Sequence, residues 1–128
     1  MPRDRRQRDA CAKDWIFTIN YYDENMEEEF KRTLDTYCDY WIFGKERGQQ
    51  GTDHYQGFLQ LKVKARLRTV KTKLSLGRAH LEKRRGTAIE ARDYCKKEGK
   101  WQEGGVIKAA GRSAGLGMAV ENIQKNGE

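Results

Sequence analysis

Three stretches of the chain alternate apolar and polar residues in the way that is typical of half-buried β-strands. They are WIFTIN at 15–20, YWIFGKE at 40–46 and HYQGFLQLKV at 54–63. The sequence RGQQGTD at 47–53 is rich in turn-forming residues and separates the second stretch from the third. We therefore expect an antiparallel hairpin between these two strands.

The third stretch has two faces of different polarity, because successive side chains of a strand point in opposite directions. One face is expected to pack in the core and carries Tyr55, Gly57, Leu59, Leu61 and Val63. The other face is expected to stay polar and available, and it carries His54, Gln56, Phe58, Gln60 and Lys62.

Apolar residues at helical spacing predict two amphipathic helices, at 26–37 and at 66–76. The second of them directs its lysines and arginines outward. A short fourth strand is predicted at 78–84, where alternation leaves the polar side chains on one side.

A third helix is predicted at 87–99. Thr87 and Glu90 form the pattern of a capping box at its start, and Gly99 supplies a stop at its end. The sequence WQEGGV that follows could add a short edge strand.

The order strand, helix, strand, strand, helix, strand, helix predicts an α+β fold of the ferredoxin-like or RRM-like kind. The first two helices should cover one face of an antiparallel sheet, and the third can lie over the other. We expect one domain at 13–106, a flexible basic arm at 1–12 and a linker at 107–128. The arm either contacts phosphate or is an idle terminus.

The formal net charge of +7 and the sequence pI of about 9.4 favour a polyanionic partner. Between His54 and Ile89 there is one acidic residue, Glu82. The same stretch has ten basic residues, which are Lys62, Lys64, Arg66, Arg68, Lys71, Lys73, Arg78, Lys83, Arg84 and Arg85. We expect this basic half of the chain to face the partner.

A membrane surface is the competing partner, but the chain has no apolar run of about 18 residues and no signal peptide. We expect a soluble, intracellular protein. Cys11, Cys38 and Cys95 are odd in number and widely spaced, which predicts reduced thiols rather than disulfides or a zinc knuckle.

In a regular hairpin Glu46 stands opposite His54, and Gln56 follows on the same face. Carboxylate and amide oxygens with one imidazole suit Mg²⁺ or Mn²⁺ better than zinc. The alternative is a polar strand face that only meets water.

Tyr94 and Lys97 lie three residues apart on the third helix and therefore share a face. The lysine could contact a phosphate or stabilise a developing phenolate. The alternative is an ordinary tyrosine at the edge of the core beside a solvated lysine.

The segments WIFTINYY, GKE with HYQGF, and DYCKKEG occur in the order of three known motifs. Over about residues 14–105 the chain resembles the rolling-circle replication initiator (Rep) endonuclease domain of circular single-stranded DNA viruses, such as circoviruses and nanoviruses. The resemblance implies an HUH endonuclease fold. It also implies a metal-dependent, sequence-specific endonuclease and strand-joining enzyme that nicks the viral origin and forms a 5′-phosphotyrosine intermediate.

The resemblance also implies roles for single residues. Tyr94 matches the nucleophile and Lys97 the lysine of the third motif, while Glu46, His54 and Gln56 match the ligands of Mn²⁺ or Mg²⁺. Gln56 stands where the class name expects a second histidine, as it also does in circovirus and nanovirus Rep. The residues expected to contact DNA are Asn20, Tyr21, Phe58, Arg78, His80, Lys83, Arg84 and Arg85.

The implied partner is single-stranded DNA at a stem-loop origin, in the host nucleus. Rep proteins of this kind usually continue into a helicase, so we expect 107–128 to be a linker toward a helicase domain that this chain lacks. We also expect oligomerisation through that missing C-terminal region. Two alternatives remain open at this point. One is a non-catalytic RRM-like module that stacks bases on Phe58, and the other is a structural domain that forms oligomers.

Overall fold

The computed structural model describes residues 10–20, 24–47 and 53–109, and within them the chain forms one five-stranded antiparallel sheet with three α-helices. The strands are β1 (Ala12–Ile19), β2 (Cys38–Arg47), β3 (Asp53–Ala65), β4 (His80–Lys83) and β5 (Trp101–Gly105). The helices are α1 (Glu27–Tyr37), which follows a 3₁₀ turn at Glu24–Met26, α2 (Leu67–Lys73) and α3 (Ala88–Lys96). No helix in these ranges is long and apolar enough to cross a membrane.

The strands follow one another across the sheet in the order β4-β1-β3-β2-β5. β3 lies between β1 and β2, which is the split arrangement of the ferredoxin-like fold. The predicted α+β class is therefore confirmed, and the architecture is consistent with the HUH endonuclease fold. WQEGGV supplies the edge strand β5, paired with β2.

One face of the sheet packs against α1 and α2 and forms the larger core. Its sheet side is rich in aromatic rings, among them Trp15, Phe17, Trp41 and Phe43. The helices contribute Leu34, Val70 and Leu74. Because α2 buries these apolar positions, its basic side chains point away from the sheet on this side.

The opposite face of the sheet packs against α3 in a second, smaller core. Small side chains line the buried side of this helix, namely Ala88, Ala91 and Cys95, and they contact Tyr40, Ile42 and Phe58. A Cβ atom at Gly44 would collide with the carbonyl oxygen of Cys95. The end of α3 can therefore approach β2 closely only because position 44 is glycine.

Both predicted ends of α3 are confirmed. The Thr87 hydroxyl accepts a hydrogen bond from the Glu90 amide at 3.0 Å, and Glu90 Oε1 accepts one from the Thr87 amide at 3.0 Å. Gly99 adopts a left-handed conformation with φ of +82° just beyond the helix.

Three positions on β3 differ from the sequence-based prediction. Val63 was expected in the core but is 76% exposed, since the strand here runs past register shifts in its pairing with both β1 and β2. Phe58 and Gln60 were expected on an open face, yet both are buried. The reason is that α3 and the segment after β5 cover this face.

Gln60 holds the segment that follows β5. Its side-chain amide donates to the Lys108 carbonyl at 2.8 Å, and its Oε1 accepts from the Lys108 amide at 2.8 Å. Ile107 packs against the second core. The chain therefore stays attached to the sheet as far as Lys108. Residues 1–9 of the predicted arm and 110–128 of the predicted linker lie outside the described ranges.

Candidate active site

The β2–β3 hairpin brings the predicted ligands together in the expected register. Glu46 pairs with His54, and Gly44 pairs with Gln56. The imidazole of His54 and the carboxylate of Glu46 meet, with Nε2 3.1 Å from Oε1. Both side chains are largely but not fully buried.

A polar row continues from Gln56 across β1 to β4. Thr18 of β1 pairs with Gln56 on one side and with His80 on the other. The Thr18 hydroxyl donates to Gln56 Oε1 at 2.6 Å. Thr18 therefore orients the Gln56 amide, a role that the sequence did not reveal because it depends on which strands are neighbours.

The last turn of α3 places the predicted catalytic pair above this row. The Tyr94 hydroxyl lies 3.5 Å from Gln56 Nε2, and 48% of the tyrosine is exposed. Lys97 Nζ lies 2.9 Å from Glu46 Oε2 and 4.1 Å from the centre of the Tyr94 ring. All five predicted residues are therefore joined by contacts in one cluster.

The charges of this cluster stabilise one another. The Lys97 ammonium lowers the pKa of the Glu46 carboxyl, and contact with His54 adds to the effect. Hydrogen bonds to Glu46 and to the Tyr94 oxygen raise the pKa of Lys97 to about 12. Glu46 and Lys97 are consequently both charged at neutral pH.

The donor set fits the predicted Mn²⁺ or Mg²⁺. Glu46 and Gln56 offer oxygen donors and His54 a nitrogen donor, and the Glu46 and His54 side chains are in direct contact at 3.1 Å. No three His, Cys, Asp or Glu side chains converge within the described ranges, and the third side chain of the predicted set is the Gln56 amide. In the structure the Gln56 Oε1 atom accepts from the Thr18 hydroxyl. If the amide turns over, the same hydroxyl can accept from Gln56 Nε2, and Oε1 becomes available as a ligand.

Cys95, next to the nucleophile candidate, is a packing residue. Its side chain is buried in the second core. Burial raises the pKa of the Cys95 thiol to about 12, so the thiol is protonated at neutral pH. The three cysteines are unpaired, as predicted.

His80 and Glu82 lie on the same face but form their own group at the β4 edge. His80 Nε2 is 2.8 Å from one Glu82 oxygen, and Arg85 Nη2 is 3.0 Å from the other. Arg85 and His80 are both well exposed. These contacts place His80 and Arg85 beside the Tyr94 cluster, not in it, and Arg78 is exposed in the turn before β4.

Four further residues were expected to contact DNA. Arg84 Nε is 3.0 Å from Asp14 Oδ2, and its Nη1 donates to the Gly86 carbonyl at 3.0 Å. Lys83 is partly buried on β4, and Asn20 is exposed just after β1. Tyr21 lies outside the described residues.

The prediction that Phe58 contacts DNA is wrong. Its side chain has no exposed surface and packs against Tyr40, with ring centres 6.1 Å apart. A base cannot stack on a ring that α3 covers, which also removes the surface on which the RRM-like alternative depended.

The basic stretch is divided between the two faces of the sheet, and which of its residues meet the partner stays a prediction. The basic residues of α2 lie on the face of the sheet opposite α3, because Val70 and Leu74 anchor that helix in the larger core. Near β4, Arg85 lies on the side of Tyr94, whereas Lys83 shares the opposite face with Leu81. The sequence could not separate these two groups, since they are close together in the chain.

Comparison with known proteins identifies the family. Residues 12–98 match the family model described as a viral replication protein. The replication-associated protein of Canary circovirus is 46% identical over 91 residues, which cover 71% of this chain and 31% of that protein. The replication-associated protein of Pigeon circovirus is 41% identical over 124 residues, 94% of this chain and 37% of that protein.

A plant virus protein is similar as well. The master replication protein of Banana bunchy top virus is 39% identical over 92 residues, 70% of this chain and 29% of that protein. The chain thus spans about a third of the length of these relatives. Since the family model covers most of the domain, the chain belongs to the viral replication protein family.

Proposed function

We propose that this domain is a metal-dependent, sequence-specific single-stranded DNA endonuclease and strand-joining enzyme that nicks a viral origin to initiate rolling-circle replication. The observation that carries the proposal is the contact of the half-exposed Tyr94 hydroxyl with Gln56, within one cluster that also holds Glu46, His54 and Lys97. Membership of the viral replication protein family supports the same reaction class.

Tyr94 is the proposed nucleophile. Its phenolic oxygen attacks the scissile phosphorus, so that a bond from tyrosine oxygen to phosphorus forms and the bond from phosphorus to the 3′ oxygen breaks. The products are a free 3′-hydroxyl and a 5′ end linked to the protein. Attack of a 3′-hydroxyl on the phosphotyrosine reverses the step and joins two strands without ATP.

Lys97 assists this step through its charge. Its ammonium lies 4.1 Å from the centre of the Tyr94 ring, where it would stabilise negative charge on the reacting phosphate. Glu46 holds the ammonium in place, and the position of Lys97 just after α3 suits a cation at the negative end of a helix dipole.

Glu46, His54 and Gln56 would hold Mn²⁺ or Mg²⁺, which supplies Lewis-acid polarisation of the scissile phosphate. The chain itself contributes the orientation of these ligands. β2 and β3 place the carboxylate and the imidazole by cross-strand pairing, and the Thr18 hydroxyl would accept from Gln56 Nε2 once the amide turns its oxygen toward the metal.

The proposed substrate is single-stranded DNA at a stem-loop origin, in the nucleus of the host cell. At the β4 edge, Arg85 lies on the Tyr94 side and would contact phosphates of the strand, whereas Lys83, which pairs with Trp15, lies on the opposite face of the sheet. Arg85 is 83% exposed and projects from this edge.

The test is the covalent adduct. Purified protein is incubated with an origin oligonucleotide and Mn²⁺, and we expect an SDS-resistant protein–DNA band whose linkage maps to Tyr94 by mass spectrometry. Tyr94→Phe should abolish the band. Tyr37→Phe is the matched control, because Tyr37 packs beside the larger core on the opposite face and should leave the band unchanged.

An adduct that persists in Tyr94→Phe would overturn the assignment of the nucleophile. Binding of the oligonucleotide without any adduct, in wild-type protein with Mn²⁺, would favour the non-catalytic alternative. Chelation of the metal should stop cleavage and leave binding of the strand largely intact.

A further inference from the structure

A cavity of about 210 Å³ lies beside Tyr94, on the flank of α3 that faces β1. The sheet contributes Ile16 and the backbone at Gly57, and the helix contributes Ala91 and Cys95. Tyr94 forms one wall, and the exposed Arg85 stands at the rim. Ile16 is only partly buried, which is unusual for an aliphatic side chain in the middle of a sheet face.

The size and polarity of the cavity restrict what it can bind. It is smaller than the roughly 300–1,000 Å³ of pockets that hold drug-sized ligands, so it suits a single ring system. The walls are aliphatic apart from Tyr94 and Gln56, whereas the rim carries the charged Arg85 and Glu90. A flat molecule with apolar faces and polar edges matches these surfaces.

We propose that this cavity binds one unstacked nucleobase of a single-stranded DNA, next to the phosphate that reacts at Tyr94. This inference rests on the proposed function, which places that phosphate at the tyrosine hydroxyl. Tyr94 is itself a wall of the cavity, and each base of a strand is attached through its sugar to the neighbouring phosphate. The base of an adjoining nucleotide is therefore tethered beside the opening.

The surrounding side chains favour a nucleobase over a protein side chain or a lipid chain. Bases of single-stranded nucleic acids are commonly held against apolar surfaces and stacked on arginine or aromatic planes. The guanidinium of Arg85 can stack on a base at the rim and also attract the adjoining phosphate. Such a cavity would contribute to the choice of sequence at the nick.

The first experiment follows methyl groups by NMR in the whole 128-residue chain. Protein in EDTA is titrated with short oligothymidylate, with oligoadenylate, and with an abasic oligomer of the same length and charge. We expect the methyl resonances of Ile16 and Ala91 to move with at least one base-bearing oligomer and to stay in place with the abasic one. Resonances near Arg85 should move with all three.

The second experiment fills the cavity. Ala91→Leu should weaken the binding of the base-bearing oligomer by at least about fivefold, because stacking of one base is worth at least this much, and should not change binding of the abasic oligomer. Ala91→Gly is the matched control, since it disturbs the same helix position but leaves the cavity open. Thermal melting of both variants verifies folding.

The proposal is overturned if neither base-bearing oligomer moves the Ile16 and Ala91 methyls, if the abasic oligomer moves them equally, or if folded Ala91→Leu binds like Ala91→Gly. None of these readouts involves cleavage. Failure of the proposed function would instead appear as the absence of a Mn²⁺-dependent adduct at Tyr94 in the wild-type protein, so the two failures can be told apart.

Discussion

Lys97 Nζ lies 2.9 Å from one oxygen of Glu46, while the other oxygen of the same carboxylate faces His54. The lysine thus neutralises a proposed metal ligand and competes with a cation for it. We expect Lys97→Met to bind Mn²⁺ about two- to fivefold more tightly, because the free energy of a partly exposed ion pair corresponds to about this change in affinity. The same variant should cleave DNA more slowly. Isothermal titration calorimetry measures the first effect.

Lys96→Met is the control for this prediction. Lys96 is the neighbouring residue but turns toward β5, where its ammonium lies 3.7 Å from Glu103 and 4.3 Å from the centre of the Trp101 ring. It should bind Mn²⁺ like the wild type. Weaker Mn²⁺ binding by Lys97→Met would contradict the proposed competition.

Thr18 tests the orientation of Gln56. Thr18→Val keeps the shape of the side chain and removes the hydroxyl that bonds Gln56 Oε1. We expect Mn²⁺ affinity and cleavage to fall roughly fivefold, which corresponds to the loss of about 1 kcal/mol from one hydrogen bond. Thr18→Ser retains the hydroxyl and should restore both, whereas equal loss in the two variants would indicate a packing role.

Gly44 tests the close approach of α3 to β2. Gly44→Ala places a methyl group against the Cys95 carbonyl and should cost about 1–3 kcal/mol in the free energy of unfolding, as overpacking does. Displacement of the helix end should also slow cleavage by moving Tyr94 and Lys97. Gly77→Ala is the control, because nothing lies within 4 Å of a Cβ there. Urea unfolding and adduct formation measure the two effects.

The Glu46–Lys97 pair should make stability depend on pH at the extremes. The pKa of Glu46 is lowered on folding, so its contribution is complete above the unfolded value of about 4.3 and is lost as pH falls below that. The pKa of Lys97 is raised to about 12, so its contribution is lost only as pH rises toward that value. In EDTA, the difference in urea midpoint between wild type and Glu46→Gln should therefore stay constant at neutral pH and shrink in acid. A difference that persists unchanged at pH of about 2 would refute the pairing.

Patterns that depend on neighbouring residues in the chain were sufficient for much of this fold. The Thr87–Glu90 capping box, the helix stop at Gly99 and the pairing of Glu46 with His54 all follow from local spacing and were predicted correctly. The contact of Tyr94 with Gln56 could not be predicted from local spacing, because it depends on the path of α3 over the sheet. Gly44 permits that path, but a glycine in a strand does not reveal which helix will lie above it.

The incorrect predictions share a physical cause. Alternation along β3 indicates which side chains share a face, but not whether another element covers that face. Phe58 was therefore assigned to solvent although α3 buries it, and Val63 to the core although the strand passes register shifts near this position. Burial of this kind is decided by tertiary packing, which a single strand pattern does not contain.

The helix that carries Tyr94 also covers Tyr40, Ile42 and Phe58, so swinging it outward would expose these side chains to water. On the β5 side it is held by Lys96, whose partner Glu103 also accepts a hydrogen bond of 2.6 Å from Tyr40. The opposite flank, toward β4, is bordered by the exposed His80 and Arg85. Under the proposed function, a DNA strand would therefore reach Tyr94 from the β4 side, past these two exposed side chains.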